Sequence, residues 1–414
     1  MDGRVRPLLI RLLLGIALLL GLTASFSSAG AAVDDERPAP RVGPALDWSR
    51  DSVAGYSERL GLTPSVFAQE VRYPLDADDE VFLRQFVEQV ADVGAVADLT
   101  LEPRVPLDQL DESAARSLAE QVASLHDRLD TRFVIRFAPE MNGSWTAWGQ
   151  QPERYREAFR TVADQVARAT DAAEMSWDPA YGAGYPFGDA EGFIAGSRDR
   201  PIEELDTDRD GDVDDLDDPY GPYWPGADVV DRVGLVLYRF GDARPFGDDE
   251  VPSPDELRGR LDEMVGYSTD TPRETFYQRF AEPGRPMSLQ TGAAWFDSGA
   301  VGVSEAEVKQ RWWQQVLDPA VLRDYPLIDL VIWLEQRREE PEADGALVDW
   351  RVTARPDLAA GFADALRTSA RTGPVTTVHD QDRANRATAG YRDTIQDDPM
   401  TWIVGCVVLA AILF

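Results

Sequence analysis

From about Arg41 to Thr372 the chain alternates short apolar runs with longer amphipathic ones, and this alternation limits the fold more than anything else in the sequence. The short runs have the length and β-branched content of buried strands: Pro64–Val71, Ala95–Leu101, Phe133–Phe137, Ala173–Trp177, Val233–Leu237, Met287–Leu289 and Leu327–Trp333. Between them, 79–93, 112–130, 152–169, 254–266, 272–281, 304–318 and 356–368 read as helices. Strand and helix alternating over ~300 residues predicts an α/β chain with parallel strands, closed into a (β/α)8 TIM barrel over 41–372. No glycine-rich phosphate loop follows a strand, which disfavours a dinucleotide fold.

In such a barrel the chemistry sits just past the strand C-termini. The residues so placed are Glu102, Glu140, Asp178, Tyr238, Gln290 and Glu335. The stretch from Val134 to Gly149, VIRFAPEMNGSWTAWG, is the most telling. An apolar strand ends in a carboxylate, Glu140, followed by Asn142, Trp145 and Trp148. A carboxyl can donate a proton, an amide can hold a hydroxyl, and indoles can stack on pyranose faces. Trp177, Trp295 and Trp333 are expected to line the same mouth.

Composition narrows the chemistry. The formal net charge is −33, which argues against nucleic acid and anionic membrane surfaces as partners. Cys406 is the only cysteine, which excludes an intramolecular disulfide and a thiolate metal cluster, and His126 and His379, the only histidines, lie outside any motif, which disfavours a histidine triad or a zinc site. What remains is carboxylates, hydroxyls and bound cations.

One cation site is legible. Asp206, Asp208, Asp210, Asp212, Asp214 and Asp217 follow the acidic spacing of a calcium loop, with Gly211 at the sharp turn and Val213 at the apolar position. Asp217 replaces the usual bidentate Glu at the twelfth position. The expectation is a structural Ca2+ that organises an insertion before the sixth strand. The aromatic segment after it (Tyr220, Tyr223, Trp224) either meets a glycan or covers the barrel.

The ends read as targeting segments. Arg4, Arg6 and Arg11 precede the apolar run Leu12 to Leu22, with a small-residue cleavage pattern after it, so 1–32 is a signal peptide or an uncleaved anchor. Residues 373–399 read as a polar linker. Residues 400–414 are apolar but shorter than the roughly 20 residues a spanning helix needs. The expected location is extracellular or at the cell surface, with membrane attachment through the terminal segments. The sequence fixes no oligomeric state.

The motifs together resemble glycoside hydrolase family 26, known for β-mannanases on a (β/α)8 barrel. The resemblance covers most of 45–368. It is carried by Leu99–Pro103, by Arg136–Trp145 with Trp148-Gly149, by Asp231–Leu235 with Tyr238, by Arg285-Pro286-Met287 with Thr291-Gly292, and by Asp349–Thr353. It implies an endo-β-mannanase-like activity on β-mannan or a related β-linked polysaccharide. Glu140 would be the general acid/base, and Tyr238 would contact the nucleophile. The family's nucleophilic Glu falls on Gln290 here, and the histidine common before the acid/base is Pro139. Retaining hydrolysis needs two carboxyl groups roughly 5–5.5 Å apart, and an amide cannot attack C1. Three readings follow: a hydrolase, for which Glu335 is the only credible surrogate partner, a glycan-binding pseudoenzyme, or a transferase or enzyme of surface-polysaccharide maturation with an altered mechanism, such as inversion by Glu140 with a distant base.

Overall fold

The computed structural model describes residues 39–187, 201–242, 245–266, 273–299 and 301–371. The expected signal segment, linker and terminal apolar run lie outside the described residues, as do His379 and Cys406. Among the described residues no helix is long and apolar enough to cross a membrane.

Eight strands close into the expected parallel barrel in chain order. They are β1 (Arg41–Leu46), β2 (Val66–Tyr73), β3 (Val96–Pro103), β4 (Phe133–Phe137), β5 (Ala173–Trp177), β6 (Arg232–Arg239), β7 (Met287–Ala293) and β8 (Ile328–Glu335). β8 closes on β1 in register from Arg41 opposite Leu330 to Leu46 opposite Glu335. The helices are α1 (Val53–Leu60), α2 (Ala77–Asp92), α3 (Glu112–Leu129), α4 (Pro152–Ala169), α5 (Ile202–Leu205), α6 (Glu256–Leu261), α7 (Glu305–Val316), α8 (Pro319–Asp324) and α9 (Pro356–Ser369). An antiparallel hairpin, β9 (Arg337–Glu340) with β10 (Ala346–Asp349), follows β8.

Strand periodicity sorts the side chains between two layers. On β3, Ala97, Leu99 and Leu101 point outward into the apolar layer shared with the helices. Asp98, Thr100 and Glu102 alternate with them and point into the lumen. Helix ends are set locally: Asp111 caps α3 by accepting from Ala114 N at 2.9 Å, and Ser304 and Glu307 form a reciprocal capping box on α7. α3 then lays Ala115, Leu118, Ala119, Val122 and Leu125 against the barrel.

Inside the lumen Val66, Ala68, Val96, Val134, Leu330 and Ile332 form an apolar cluster. Asp98, Arg136, Asp178, Ser288 and Gln290 are buried polar groups. At the closed end Arg232 pairs with Asp329 and with Glu174 at 3.0 Å. β1 is not among the strands read from the sequence, because Gly43 and Pro44 interrupt its apolar run. Gly43 is required there, since a Cβ would collide with the Val66 carbonyl.

Candidate active site

The turn after β4 carries Glu140 in a constrained backbone. Ala138 and Glu140 both have positive φ, 47° and 57°, a conformation costing roughly 1–2 kcal/mol per non-glycine residue. Hydrogen bonds hold it on every side. Ala138 N donates to Leu101 O at 2.9 Å and Glu140 N to Asp178 O at 2.8 Å. Trp148 Nε1 donates to Pro139 O at 2.8 Å. The turn is thereby tied to the ends of β3 and β5, and the Glu140 side chain lines the mouth.

A cleft of two lobes, about 420 and 310 Å3, meets at Glu140, Trp145, Tyr238 and Glu342, which line both. The first lobe is aromatic, walled by Tyr181, Phe187, Phe240 and Phe246. The second is rich in carboxylates, with Glu70, Glu102, Glu339 and Glu340 around Arg338, and Trp148 and Gln290 on its walls. Burial pushes the Glu140 carboxyl up to about 8, and the neighbouring Glu342 charge adds to the effect. Trp145 Nε1, donating to Glu140 Oε2 at 3.2 Å, works against the shift. Glu102 is pushed up to about 7 by burial and by Glu70, with Arg338 opposing. Burial also raises the Tyr238 phenol above its usual range.

Below the cleft lies a polar network. Arg136 Nη2 donates to Asp98 Oδ2 at 2.6 Å, with both side chains fully buried, and Nη1 lies 3.8 Å from Asp178 Oδ1. Gln290, oriented so that donor meets acceptor, turns its side-chain oxygen to Arg136 and accepts from Nε at 3.2 Å and from Nη1. Ser288 Oγ donates to Asp178 Oδ1 at 3.2 Å. Gly234 admits this carboxylate, because a Cβ there would collide with it. Asp98 is pushed up to about 6 by burial, with Arg136 pulling the other way.

Of the aromatic and polar residues expected at the mouth, Trp145, Trp148, Tyr238 and Gln290 line it. Others do not. Asn142 is fully buried and spends its amide on the backbone, donating to Ala180 O and accepting from Ala180 N, both at 2.8 Å. Trp177 and Trp333 face outward: Trp177 packs on Trp224, Phe276 and Phe280, and Trp333 on Phe362. Trp295 is half-buried against the core, its backbone paired with Asp349, and lines neither lobe. Glu335 also points away from the lumen and accepts from Val352 N at 2.8 Å and Thr353 N at 2.9 Å. It cannot stand in for a nucleophile.

Three glutamates at the mouth have no sequence signal. Glu70, at the mouth end of β2, pairs with Arg338 at 3.3 Å. Glu340 and Glu342 come from the hairpin region after β8, whose charged sequence gives no strand signal.

In the acidic loop, Asp206, Asp208 and Asp210 bring carboxylate oxygens within 4.8 Å of one another. This is the all-oxygen donor set a hard divalent cation takes. Asp217 is buried and closes the loop, its Oδ1 accepting from Thr207 N at 2.5 Å and its Oδ2 from Asp214 N at 2.8 Å. The Asp212 backbone N–H donates to Asp210 Oδ1 at 2.9 Å, and Asp214 Oδ1 accepts from Leu216 N at 2.8 Å. The following Tyr220 and Tyr223 are buried and Trp224 packs on Phe280, so these rings cover the barrel.

No family model and no curated protein matches the sequence. Among solved structures, the chain is similar to a Bacillus subtilis mannanase at 14% identity and TM-score 0.45, over 83% of this chain and 90% of that one. It is also similar to the catalytic domain of a Bacillus sp. GH26 endo-β-1,4-mannanase at 13% and 0.45, over 81% and 87%. A fungal β-1,4-galactanase aligns at 11% and 0.46, over 79% and 99%. Identities and TM-scores this low say nothing of shared chemistry.

Proposed function

We propose that the barrel mouth binds a β-linked polysaccharide and that Glu140 protonates the glycosidic oxygen. One observation carries this reading. Glu140, pushed up to about 8, stands where an aromatic lobe meets a carboxylate lobe. A carboxyl that keeps its proton at neutral pH is what a general acid must be. Trp145 and Trp148 offer stacking faces beside it. The mannan class rests on the resemblance of the Arg136–Trp145 segment to family 26 mannanases.

A second reading is a glycan-binding protein without turnover. It is favoured by Gln290, because the strand-seven position holds an amide hydrogen-bonded to Arg136 where retaining hydrolysis needs an anion. A panel of β-linked oligosaccharides, assayed for both binding and reducing-end release, separates the two. Release by the unmodified protein supports the hydrolase, and binding with no release supports the second reading.

We also propose that the 206–217 loop holds a structural Ca2+ through Asp206, Asp208 and Asp210. The N-terminal pattern of arginines, apolar run and small residues supports export, with the protein acting outside the cell or at its surface.

A further inference from the structure

We propose that the aromatic lobe of the mouth holds an uncharged aromatic group joined to the glycan through the bond at Glu140, so that the substrate class is a β-linked glycan with an aromatic aglycone. The inference rests on the reading of Glu140 as proton donor.

Glu140 lines both lobes, so a glycosidic oxygen held at its carboxyl has one side of the substrate in each. Only one of those sides must be a sugar. The anomeric carbon belongs to a sugar, whereas the group that leaves with the oxygen need not. What each lobe offers decides which side enters it.

The carboxylate lobe suits the sugar. Glu70, Glu102, Glu339 and Glu340 supply acceptors there, and Arg338 supplies donors. Sugar hydroxyls both donate and accept. The aromatic lobe is poorer in such groups. Among the described residues, the polar side chains that line it and not its neighbour are Tyr181, Asp242 and Arg260. Each already has a partner. The Tyr181 hydroxyl donates to Glu263. Asp242 Oδ1 accepts from Arg239 Nη2 at 2.7 Å, and Arg260 Nη2 donates to Glu256 Oε1 at 2.6 Å. A sugar placed there would meet ring faces and three side chains already engaged. An aromatic ring needs no hydrogen-bond partner, so it enters without that cost.

The rings supply contacts of the matching kind. Phe240 and Phe246 lie nearly parallel, 18° apart with centroids at 5.1 Å. Phe187 meets Trp145 edge-on, with centroids at 4.9 Å and planes at 68°. The Arg260 guanidinium lies 5.7 Å from the centre of the Tyr181 ring. Aromatic pairs favour offset and edge-on contacts at roughly 4.5–7 Å and gain from them beyond area burial. Phe187, Phe240 and Phe246 are only half-buried, so each keeps surface for a further ring. The lobe of about 420 Å3 exceeds the roughly 150 Å3 of a cavity that takes benzene. The carboxylates of Asp242 and Glu342 on its walls repel an anionic ring, which leaves an uncharged one.

The test is calorimetric binding to the full chain of four non-hydrolysable thioglycosides of β-1,4-mannobiose, carrying phenyl, cyclohexyl, methyl or a further mannose on sulfur. The expected result is the phenyl compound at least tenfold tighter than the methyl one and tighter than the other two. Phenyl no tighter than methyl, or either the cyclohexyl or the mannosyl compound tightest, overturns the proposal. Phe246→Ala should cut the ratio of phenyl to methyl affinity at least fivefold, and an unchanged ratio overturns the proposal. Should Phe246→Ala melt early, Phe246→Leu, apolar but without a ring, replaces it under the same criterion. Methyl and mannosyl compounds that bind with no aromatic gain remove this inference and leave the glycan reading standing. No binding of any compound removes both. Oligosaccharide turnover unaffected by Glu140→Gln removes the proton donor, and with it the placement of the aglycone.

Discussion

Gln290 directs its side-chain oxygen at Arg136, 3.2 Å from Nε, on the strand where the family resemblance expects an anionic nucleophile. The guanidinium already meets Asp98 at 2.6 Å and stands 3.8 Å from Asp178. The amide therefore gives a buried cation a further acceptor without a further charge. It cannot attack an anomeric carbon.

Restoring the carboxylate tests that interpretation. Gln290→Glu keeps the shape and gives Arg136 a charge-assisted acceptor, so the fold should survive. A nucleophile would then face Glu140 from β7. We expect the variant to release reducing ends at least tenfold faster than the unmodified chain and to give product of retained configuration. Unchanged rate and configuration in a folded variant would show that position 290 does not face the reacting carbon.

The ionisation of Glu140 sets a pH limb. A general acid works only while protonated, so kcat/KM should fall as pH rises through about 8. Four groups act on this carboxyl: Glu342 and Glu340 raise it, and Arg338 and Trp145 lower it. Glu342→Gln should move the limb of residual activity to lower pH, and Arg338→Met should move it higher. The folded chain binds this proton more tightly than the unfolded chain. Stability should therefore decline between pH 4.5, the ordinary value, and about 8, and Glu140→Gln should flatten that decline in denaturant titrations. A limb that ignores both neighbours would contradict the assignment.

Asn142 should behave as a structural residue. Asn142→Ala strands the N–H and C=O of Ala180, a residue only 4% exposed. Leaving two such groups unpaired costs about 2–4 kcal/mol. Urea unfolding should record that loss while glycan affinity of the folded fraction holds. Lost affinity at unchanged stability would return Asn142 to the sugar.

The acidic loop predicts a metal response. Millimolar Ca2+ should raise the melting temperature and a chelator should lower it, with the response gone in Asp206→Asn/Asp210→Asn. Equal melting curves with and without Ca2+ would leave the loop a turn held by its own aspartate-to-backbone hydrogen bonds.

The barrel was legible because strand and helix periods alternate cleanly along the chain. β4 and β5 match the expected runs at both ends, Phe133–Phe137 and Ala173–Trp177. What failed was assignment of face. Trp177 is the last residue of β5 and points outward, while Asp178, one position on, meets Arg136 and Ser288 inside. Alternation makes a single position decisive, and sequence pattern alone did not supply the phase. Trp333 and Glu335 failed for the same reason on β8. Glu342 was invisible because Arg337–Glu340 carries no apolar period, and the hairpin takes its shape from Trp350 and Arg338, which bind Glu340.

The most direct measurement compares two substrates with the same sugar in unmodified protein and in Glu140→Gln. One is a β-1,4-mannooligosaccharide, whose alkoxide leaving group needs a proton. The other is the matching 2,4-dinitrophenyl glycoside, whose leaving group does not. If Glu140 is the proton donor, Glu140→Gln loses roughly 100- to 10,000-fold on the oligosaccharide and stays within tenfold on the aryl glycoside. Equal losses on both substrates, or no loss on either, would contradict the account.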